Sequence, residues 1–325
     1  MALKTALLQI LEEHRDAPVS GQALADRLHV SRAAVWKAMK ALQAEGHRIT
    51  AVTNRGYQLE RDSDVLTPQG IRCRLRPAYR DCAIRVDARV PSTNTQAKKL
   101  AADGEAAPSL LLADGQTAGR GRMGRAFFSP PGTGLYMSVL LRPAVQAEEL
   151  PLVTLAAAAA VCEAVEEAAG VSTRVKWVND ILVDGRKVAG ILTEAVGDLE
   201  SGTMESVVVG IGVNVSQTAA DFSPDVAAIA TSLRMELKGD VSRDALAQAL
   251  TAQLAALHDS ALPCPSLWRE DYCARCVNVG QRVRLTRDGA IRGAVAEGID
   301  PQYGLTVRYD DGSEETLRGG EVSVR

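Results

Sequence analysis

The sequence contains little cysteine and no apolar run long enough to cross a membrane. Its 325 residues include six irregularly spaced cysteines, which favours reduced thiols in a cytoplasm over a disulfide framework. The longest apolar run, 150–162, is shorter than the roughly 20 residues that a bilayer requires. We therefore expect no membrane association. The N-terminus has no apolar signal region, so we expect no secretory leader either.

The sequence also lacks a large excess of either charge. Its 37 basic and 40 acidic side chains give a formal charge of -3, which excludes a polycation that coats nucleic acid. A hydrophobic content of 46% excludes a mainly disordered chain. The length exceeds one ordinary core, so we expect two or three domains. Residues 1–63 differ from the rest, with nine basic and seven acidic side chains.

The first 63 residues predict a winged helix-turn-helix domain. Apolar spacing predicts a first helix that ends before Asp16. Ser20 and Ser31 are predicted N-caps of two further helices, the last running to about Ala44. Two short strands, 48–52 and 56–60, then form the wing through a turn that contains Arg55.

A DNA-binding face is predicted on the third helix, whose N-terminal end enters the major groove in such domains. Arg32 can contact guanine with two hydrogen bonds, and the neighbouring polar groups suit phosphates. The candidate DNA-binding residues are Ser31, Arg32, Ala33, Trp36, Lys37, Lys40 and Arg55. The alternative is a packing domain with a solvated basic face, in which Trp36 packs against a neighbour. The small net charge makes DNA binding conditional on dimerisation.

The remainder predicts two further domains, giving an α+β multidomain protein. Residues 64–274 predict a mixed α/β domain, and 275–325 predict a small, SH3-like β-barrel of short strands with tight turns. The predicted strands of the central domain are 83–90, 109–114, 135–141, 173–177, 181–183, 188–194 and 206–215. Its predicted helices are 93–102, 150–169, 242–258 and 266–276. The predicted barrel strands are 282–286, 291–298, 305–309 and a pair around 316 and 322.

The segment Gly119-Arg-Gly-Arg-Met-Gly-Arg125 contains the spacing G-x-G-x-x-G. In a dinucleotide site this loop opens a helix, but Pro130-Pro131 follows here and no acidic residue stands about 20 positions on. Kinase motifs are also missing after it. What remains is a flexible backbone with three arginines, which suits closure over a carboxylate or phosphate. A solvated turn is the alternative.

A second motif, Lys176-Trp-Val-Asn-Asp180, precedes Lys187 by a short hairpin. Asn179 and Asp180 at a strand end can hold a cation or a ribose. A lysine directed inward at position 187 would need an anion, whereas an exposed hairpin lysine is an equally good interpretation from spacing alone. Glycines inside the strands at 190, 210 and 212 predict close approach of a ligand or another backbone.

Several motifs together resemble the bifunctional biotin–protein ligase and biotin operon repressor family. They match the family in order and spacing over essentially the whole chain. The matching segments are Ser92-Thr-Asn94, Gly119-Arg-Gly-Arg-Met-Gly-Arg125, Lys176-Trp-Val-Asn-Asp180, Lys187-Val-Ala-Gly-Ile-Leu192, Gly210-Ile-Gly-Val-Asn214 and Gly319-Gly-Glu-Val-Ser-Val-Arg325.

The resemblance implies an enzyme that activates biotin with ATP and Mg²⁺ and transfers it to a lysine of a biotin carboxyl carrier protein. The intermediate, biotinyl-5′-AMP, would also act as corepressor, favouring a homodimer that binds operator DNA. A ligand-sensing repressor without ligase activity is the alternative. Lys187 and Asp180, which a mere sensor need not keep, favour the enzyme.

The resemblance also implies roles for individual residues. The catalytic residues would be Lys187, Arg122 and Arg120, and Asp180 would contact Mg²⁺. The biotin site would comprise Ser92, Thr93, Asn94, Gln116, Arg120, Gly121, Arg122, Lys187 and Gly190. The nucleotide site would comprise Gly119, Arg122, Arg125, Phe127, Asn179, Asn214 and Arg325. Met123, Phe127 and Val178 depart from the residues common in the family, which bears on ligand affinity.

Overall fold

The computed structural model describes residues 2–75, 77–142, 150–198, 203–260, 265–287 and 290–324. Their elements form a helical unit with a hairpin, a unit around a seven-stranded sheet and a unit with a five-stranded sheet. This is the α+β multidomain architecture that the sequence predicts. None of the helices in the described ranges combines the length and the apolar character needed to span a bilayer.

The N-terminal unit has three helices followed by an antiparallel hairpin. Its elements are α1 (Leu3–Glu13), α2 (Gly21–Leu28), α3 (Arg32–Ala44), β1 (Ile49–Val52) and β2 (Gly56–Leu59). The hydroxyls of Ser20 and Ser31 accept hydrogen bonds from the amides of Ala23 and Ala34, so both predicted caps are confirmed. The helices and the wing lie within a residue or two of their predicted bounds.

This unit has an apolar core of its own. Leu11, Val35 and Met39 are buried in it, at the spacing that places them on the inner faces of α1 and α3. The hairpin is joined to the segment before α2 because Tyr57 and Val19 exchange backbone hydrogen bonds. A Cβ atom on Gly56 would lie 2.0 Å from the Val19 carbonyl oxygen, so this crossing requires glycine.

The central unit is built on a mixed sheet with the strand order β3-β4-β5-β9-β8-β7-β6. Its strands are β3 (Ala83–Val90), β4 (Ser109–Gln116), β5 (Gly134–Leu141), β6 (Arg174–Lys176), β7 (Asp180–Val183), β8 (Arg186–Asp198) and β9 (Thr203–Asn214). β3 and β4 are parallel, and the other neighbouring pairs are antiparallel. β8 and β9 extend past the prediction because they pair with each other along nearly their full length.

Helices cover this sheet. They are α4 (Pro68–Arg74), α5 (Thr93–Ala102), α6 (Leu150–Ala169), α7 (Pro224–Ala227), α8 (Leu233–Leu237), α9 (Arg243–Ser260) and α10 (Pro265–Arg275). The alanine-rich run of α6 is buried among the sheet, α9 and α10, which explains why it is apolar all round. α4, α7 and α8 were not predicted, since each is shorter than the apolar period needed to reveal a helix.

The C-terminal unit is an antiparallel sheet in the order β13-β12-β11-β10-β14. Its strands are β10 (Arg282–Arg287), β11 (Ala290–Ile299), β12 (Leu305–Tyr309), β13 (Glu314–Leu317) and β14 (Glu321–Val324). Its apolar core is continuous with that of the central unit. The Trp177 amide donates to the Asn278 side chain at 2.7 Å, which connects the end of β6 to the start of this unit.

Charged side chains connect the N-terminal unit to the central one. Arg15, just after α1, pairs with Asp244 of α9 at 2.7 Å. The neighbouring Arg243 contacts Asp64, the first residue after the N-terminal unit, at 2.8 Å, and Asp114, near the end of β4, at 2.6 Å. Arg243 is buried, and these two carboxylates keep it charged there. The first turn of α9 is therefore the junction between the two units.

Candidate active site

A cavity opens between the start of α5, the loop after β4 and the middle of β8 and β9. Its lining residues are Ser92, Thr93, Asn94, Gln116, Arg120, Gly121, Arg122, Phe127, Asn179, Lys187, Gly190, Ile191, Leu192, Gly210, Ile211 and Gly212. All nine residues predicted for the biotin site line this cavity, as do the three predicted catalytic residues. One wall is polar and cationic, and the other is the apolar surface of β8 and β9.

A chain of hydrogen bonds fixes the polar wall. The Gln116 side-chain oxygen accepts from the Thr93 amide at 2.8 Å, while its nitrogen donates to the Ser129 hydroxyl at 2.8 Å. The buried Ser138 hydroxyl lies 2.7 Å from the Thr93 hydroxyl and 2.6 Å from the side-chain oxygen of Asn94. These contacts leave the side chains of this wall in single orientations before any ligand enters.

The glycine–arginine loop folds back on itself and opens no α-helix. The Gly121 amide donates to the Arg125 carbonyl at 2.7 Å, and the Phe127 amide donates to the Gly119 carbonyl at 2.9 Å. A Cβ atom on Gly119 would lie 2.3 Å from the Phe127 carbonyl oxygen, so the close return requires glycine. The rejection of a dinucleotide-binding loop is confirmed, because only a short 3₁₀ turn at 122–124 follows.

Two of the three loop arginines line the cavity. Arg122 donates to the Asn179 side-chain oxygen at 2.8 Å and is partly buried. Burial lowers the pKa of the Arg122 guanidinium, while the nearby Asp180 carboxylate acts in the opposite direction; the group remains charged. Arg120 is half exposed and lies 3.5 Å from Glu194. Arg125 is not among the lining residues.

Lys187 is directed into the site rather than into solvent. Its ammonium group donates to the Asp180 carboxylate at 2.6 Å, and the side chain is 28% exposed. Its backbone is held by the segment before α8, where it exchanges hydrogen bonds with Ile229 and Thr231. Of the two interpretations that the sequence allows, the structure therefore favours the inward lysine, with Asp180 as the anion that meets it.

The turn between β6 and β7 is held from two sides. The Asn179 side-chain nitrogen donates to the Ile191 carbonyl at 3.0 Å, and the Ile191 amide returns a hydrogen bond to the Asn179 carbonyl. The buried Tyr272 hydroxyl of α10 donates to the Val178 carbonyl at 3.1 Å. Asn179 is thereby fixed at the cavity wall, with its side-chain oxygen directed at Arg122.

The strand glycines make room for the protein's own side chains. A Cβ atom on Gly210 would lie 2.0 Å from the Asn94 side-chain oxygen, and one on Gly212 would lie 2.5 Å from the Phe127 ring. Gly190 faces the end of the Lys187 side chain at 3.0 Å. The expected close approach occurs, but what approaches is a side chain of the polar wall, not another backbone.

Some residues predicted for the nucleotide site do not line the cavity. Arg122, Phe127 and Asn179 do, whereas Gly119, Arg125 and Asn214 are not among its lining residues. Asn214 is buried and donates to the Thr231 carbonyl at 3.0 Å. Arg325 lies outside the described residues. The sequence interpretation missed the lining positions 191, 192 and 211. For Leu192 the signal was its place two residues from Gly190 on β8, which puts both on the same face of the sheet.

The predicted DNA-binding residues are all exposed. Ser31, Arg32, Ala33, Lys37 and Lys40 are exposed on α3, and Arg55 is exposed at the tip of the wing. The Trp36 side chain is 56% exposed, so in this chain it does not serve as a packing residue. The surface lies apart from the cavity, on a unit with its own core.

Comparison with known proteins agrees with this division. Residues 4–58 match the helix-turn-helix family "HTH domain", 86–214 match the "Biotin/lipoate A/B protein ligase family", and 279–325 match the "Biotin protein ligase C terminal domain". The chain is similar to the bifunctional ligase/repressor BirA of Bacillus subtilis, with 35% identity over 95% of each chain. The chain belongs to the bifunctional biotin–protein ligase and repressor family.

Two further relatives support this membership. The bifunctional ligase/repressor BirA of Escherichia coli is 29% identical over 94% of this chain and 92% of its own length. The solved structure of biotin protein ligase from Aquifex aeolicus in complex with biotin and ATP superposes with a TM-score of 0.60. That match has 26% sequence identity and covers 75% of this chain and 98% of the other.

Proposed function

We propose that the protein is a biotin–protein ligase that also represses transcription. In the first step an oxygen of the biotin carboxylate attacks the α-phosphorus of ATP, the bond to the β-phosphate breaks, and pyrophosphate leaves. In the second step a carrier lysine attacks the carbonyl carbon of biotinyl-5′-AMP, AMP leaves, and the amine gives up a proton. The observation that carries the proposal is the convergence of Arg120, Arg122 and Lys187 on one cavity in a chain of this family.

The cavity is the proposed biotin site. Its polar wall presents hydroxyl, amide and backbone groups of the kind that orient a small polar head group, while its apolar wall suits a hydrocarbon chain. The apolar wall is formed by β8 and β9. The polar wall is formed by Ser92, Thr93, Asn94, Gln116 and Gly121. The carboxylate would then reach the cationic end of the cavity.

The nucleotide would lie beside this site, next to Phe127 and Asn179. We keep Gly119, Arg125, Asn214 and Arg325 as proposed nucleotide contacts from the family resemblance. The described residues contain no group of three or more metal-ligating side chains. A Mg²⁺ ion would fit because such ions are commonly held by only one or two carboxylates together with substrate phosphates and waters, and Asp180 is the proposed protein ligand. The ion would neutralise phosphate charge.

The cations serve the first step by bringing two anions together. A carboxylate and a triphosphate repel each other, and the repulsion is offset where Lys187 and Arg122 contact both. Negative charge moves toward the leaving pyrophosphate in the transition state, so fixed cations stabilise it most. Asp180 holds the Lys187 ammonium in place until the phosphates arrive. No covalent enzyme intermediate is required.

Arg122 has a second proposed role, which is to retain the adenylate. A mixed anhydride hydrolyses in water, so the loop must cover it until a carrier lysine arrives. Arg122 belongs to this loop and already contacts Asn179 across the cavity. Arg122 thus connects the loop that would cover the adenylate to Asn179 in the cavity wall.

The ligase proposal is tested with purified protein, biotin and Mg·ATP. We expect pyrophosphate release that depends on biotin, and transfer of biotin to a biotin carboxyl carrier protein when it is added. A protein that releases no pyrophosphate and labels no carrier lysine would contradict the ligase proposal and leave the ligand-sensing repressor.

We further propose that biotinyl-5′-AMP favours a homodimer that binds operator DNA. A two-fold dimer predicts a palindromic site with half-sites about 34 Å apart, or a multiple of that distance. Fluorescence anisotropy with the DNA upstream of the protein's own gene should show binding that tightens with the adenylate. Binding with no adenylate dependence would contradict the corepressor role.

Two finer assignments complete the proposal. The functional units are 1–63 for DNA binding, 64–274 for ligation and 275–325 for the C-terminal barrel; the separate core of the first unit supports the first boundary. The proposed location is the cytoplasm, where biotin carriers and operator DNA would both be available. Its support is that the five described cysteines are free thiols.

A further inference from the structure

Glu194 of β8 lies directly behind the polar wall without lining the cavity. One carboxylate oxygen accepts from the Asn94 side-chain nitrogen at 2.9 Å. The other accepts from Lys98 at 2.8 Å and lies 3.5 Å from Arg120. The side chain is 18% exposed, so it is shielded from water on most sides. The Glu194 carboxylate therefore connects β8 to two other elements of the site, α5 and the glycine–arginine loop.

The contacts of Asn94, a lining residue of the cavity, fix the orientation of its amide and decide which polar atom keeps free hydrogen-bonding capacity. Its nitrogen has two hydrogens, and both are used, one by the Leu192 carbonyl at 3.1 Å and one by Glu194. Its oxygen accepts from Ser138 and retains a second lone pair. Both acceptors behind Asn94 lie on β8, so its donors are directed there. The group that Asn94 can offer to a ligand is an acceptor.

Glu194 can do this because it is ionised. Burial raises the pKa of its carboxyl group, but hydrogen bonds from Lys98 and Asn94 and the charges of Lys98 and Arg120 outweigh it, and the net pKa is lowered. A carboxylate only accepts hydrogen bonds, whereas a neutral amide in its place would both accept and donate. The charge acts together with the Leu192 carbonyl to disfavour the alternative orientation of Asn94.

We propose that Glu194 is a positioning residue that sets ligand selectivity, by holding the Asn94 amide so that its oxygen accepts from an N–H group of the ligand. The inference rests on the proposed function and deepens it. The ligand class is a carboxylic acid that carries a cyclic urea, whose N–H groups are donors. A dithiolane acid such as lipoate has no such donor and gains nothing from this arrangement.

The test is the variant Glu194→Gln in the full-length protein. Biotin binding is measured by calorimetry without ATP, and KM and kcat by pyrophosphate release. We expect the Kd and the KM for biotin to rise about ten- to a hundredfold, the range for a charge-assisted hydrogen bond, with kcat at saturating biotin within threefold of wild type. The matched control is Glu105→Gln, which removes a carboxylate paired with Arg85 away from the cavity.

A double variant shows whether Glu194 acts through Asn94. In an Asn94→Ala background, adding Glu194→Gln should change the biotin Kd by less than threefold, because the group that it positions is gone. An undiminished effect in that background would overturn the proposal. So would a Glu194→Gln protein whose biotin Kd stays within twofold of wild type, or whose kcat falls at unchanged Kd.

Failure of the inference differs from failure of the proposed function. If the wild-type protein binds no biotin, both are wrong; if wild type binds and the variant binds equally well, only the role of Glu194 is wrong. Should Glu194→Gln not fold, Glu194→Asp keeps the charge near Lys98 and shortens its reach by one methylene. It should weaken biotin binding at least fivefold, and an unchanged Kd would again contradict the proposal.

Discussion

The DNA-binding surface and the ligase cavity use cations in opposite ways. On α3 and the wing, Arg32, Lys37 and Arg55 are exposed on a unit with its own core. In the cavity, Arg122 and Lys187 are partly buried, and each is held by a partner from another segment: Arg122 by Asn179 of the β6–β7 turn, and Lys187 by Asp180 of β7. The first arrangement should respond to salt and lose DNA affinity one contact at a time, because solvated charges act nearly independently. The second should fail when one member is removed, because its charges position one another.

The variant expected to distinguish the two regions most clearly is Lys187→Met, in the ligase cavity. We expect adenylate formation, measured as pyrophosphate release, to fall about 10²- to 10³-fold in kcat/KM, because a transition-state cation is lost. The DNA affinity of the ligand-free protein should not change. The matched control is Lys99→Met, an exposed lysine of α5. An activity loss below threefold would contradict the catalytic role of Lys187.

The converse change is Arg32→Ala on the DNA-binding surface. Operator affinity should fall about ten- to a hundredfold by fluorescence anisotropy, because a two-hydrogen-bond contact to guanine is lost. Ligase kinetics should stay within twofold of wild type, since Arg32 belongs to the N-terminal unit, whose apolar core is separate from that of the ligase unit. Arg61→Ala, an exposed arginine of the same unit, is the control. Equal losses in both variants would mean that only net charge matters.

The junction between the two regions is tested by Arg243→Met. Two ion pairs, to Asp64 and Asp114, are lost, but both carboxylates are about a third exposed and can be rehydrated. We expect the free energy of unfolding in urea to fall by about 1–2 kcal/mol, with ligase kcat within twofold of wild type. Arg234→Met, which removes a long, exposed ion pair with Asp240, should change it by less than half as much.

The smallest effect is expected for Lys40→Gln. Lys40 is a predicted phosphate contact, so its loss should weaken binding severalfold and similarly for all DNA sequences. The slope of log K against log salt should decrease by about one per copy. An unchanged slope would show that Lys40 contacts no DNA phosphate.

The sequence predicted elements whose evidence is local. The caps Ser20 and Ser31 bond to amides three residues away, and α6 carries a long apolar pattern, so the bounds of these helices were predicted well. α4 has a local signal too, since Thr67 caps it and Pro68 opens it, but seven residues are too few for a period. A helix as short as α4 can therefore be predicted only from its N-cap signal, without support from an apolar period.

The site was predicted as a set of residues, but not as a geometry. The family resemblance grouped Asn94, Gln116, Arg122 and Lys187, which lie far apart in the chain and meet in one cavity. Their partners were not predicted, because these contacts join β8 to α5 and to β7, and the loop to the β6–β7 turn, across 7 to 100 positions. Glu194 was missed for the same reason: it carries no motif, and its contacts exist only after the sheet forms.

The central claim is that the arginine loop and Lys187 surround one anionic ligand. A crystal structure of the protein with biotinyl-5′-AMP tests it most directly. The account predicts the ligand in the cavity between α5 and β8, with the Lys187 ammonium and the Arg122 guanidinium within about 3.2 Å of its carbonyl or phosphate oxygens. A ligand bound elsewhere, or both cations turned toward solvent around an empty cavity, would contradict it.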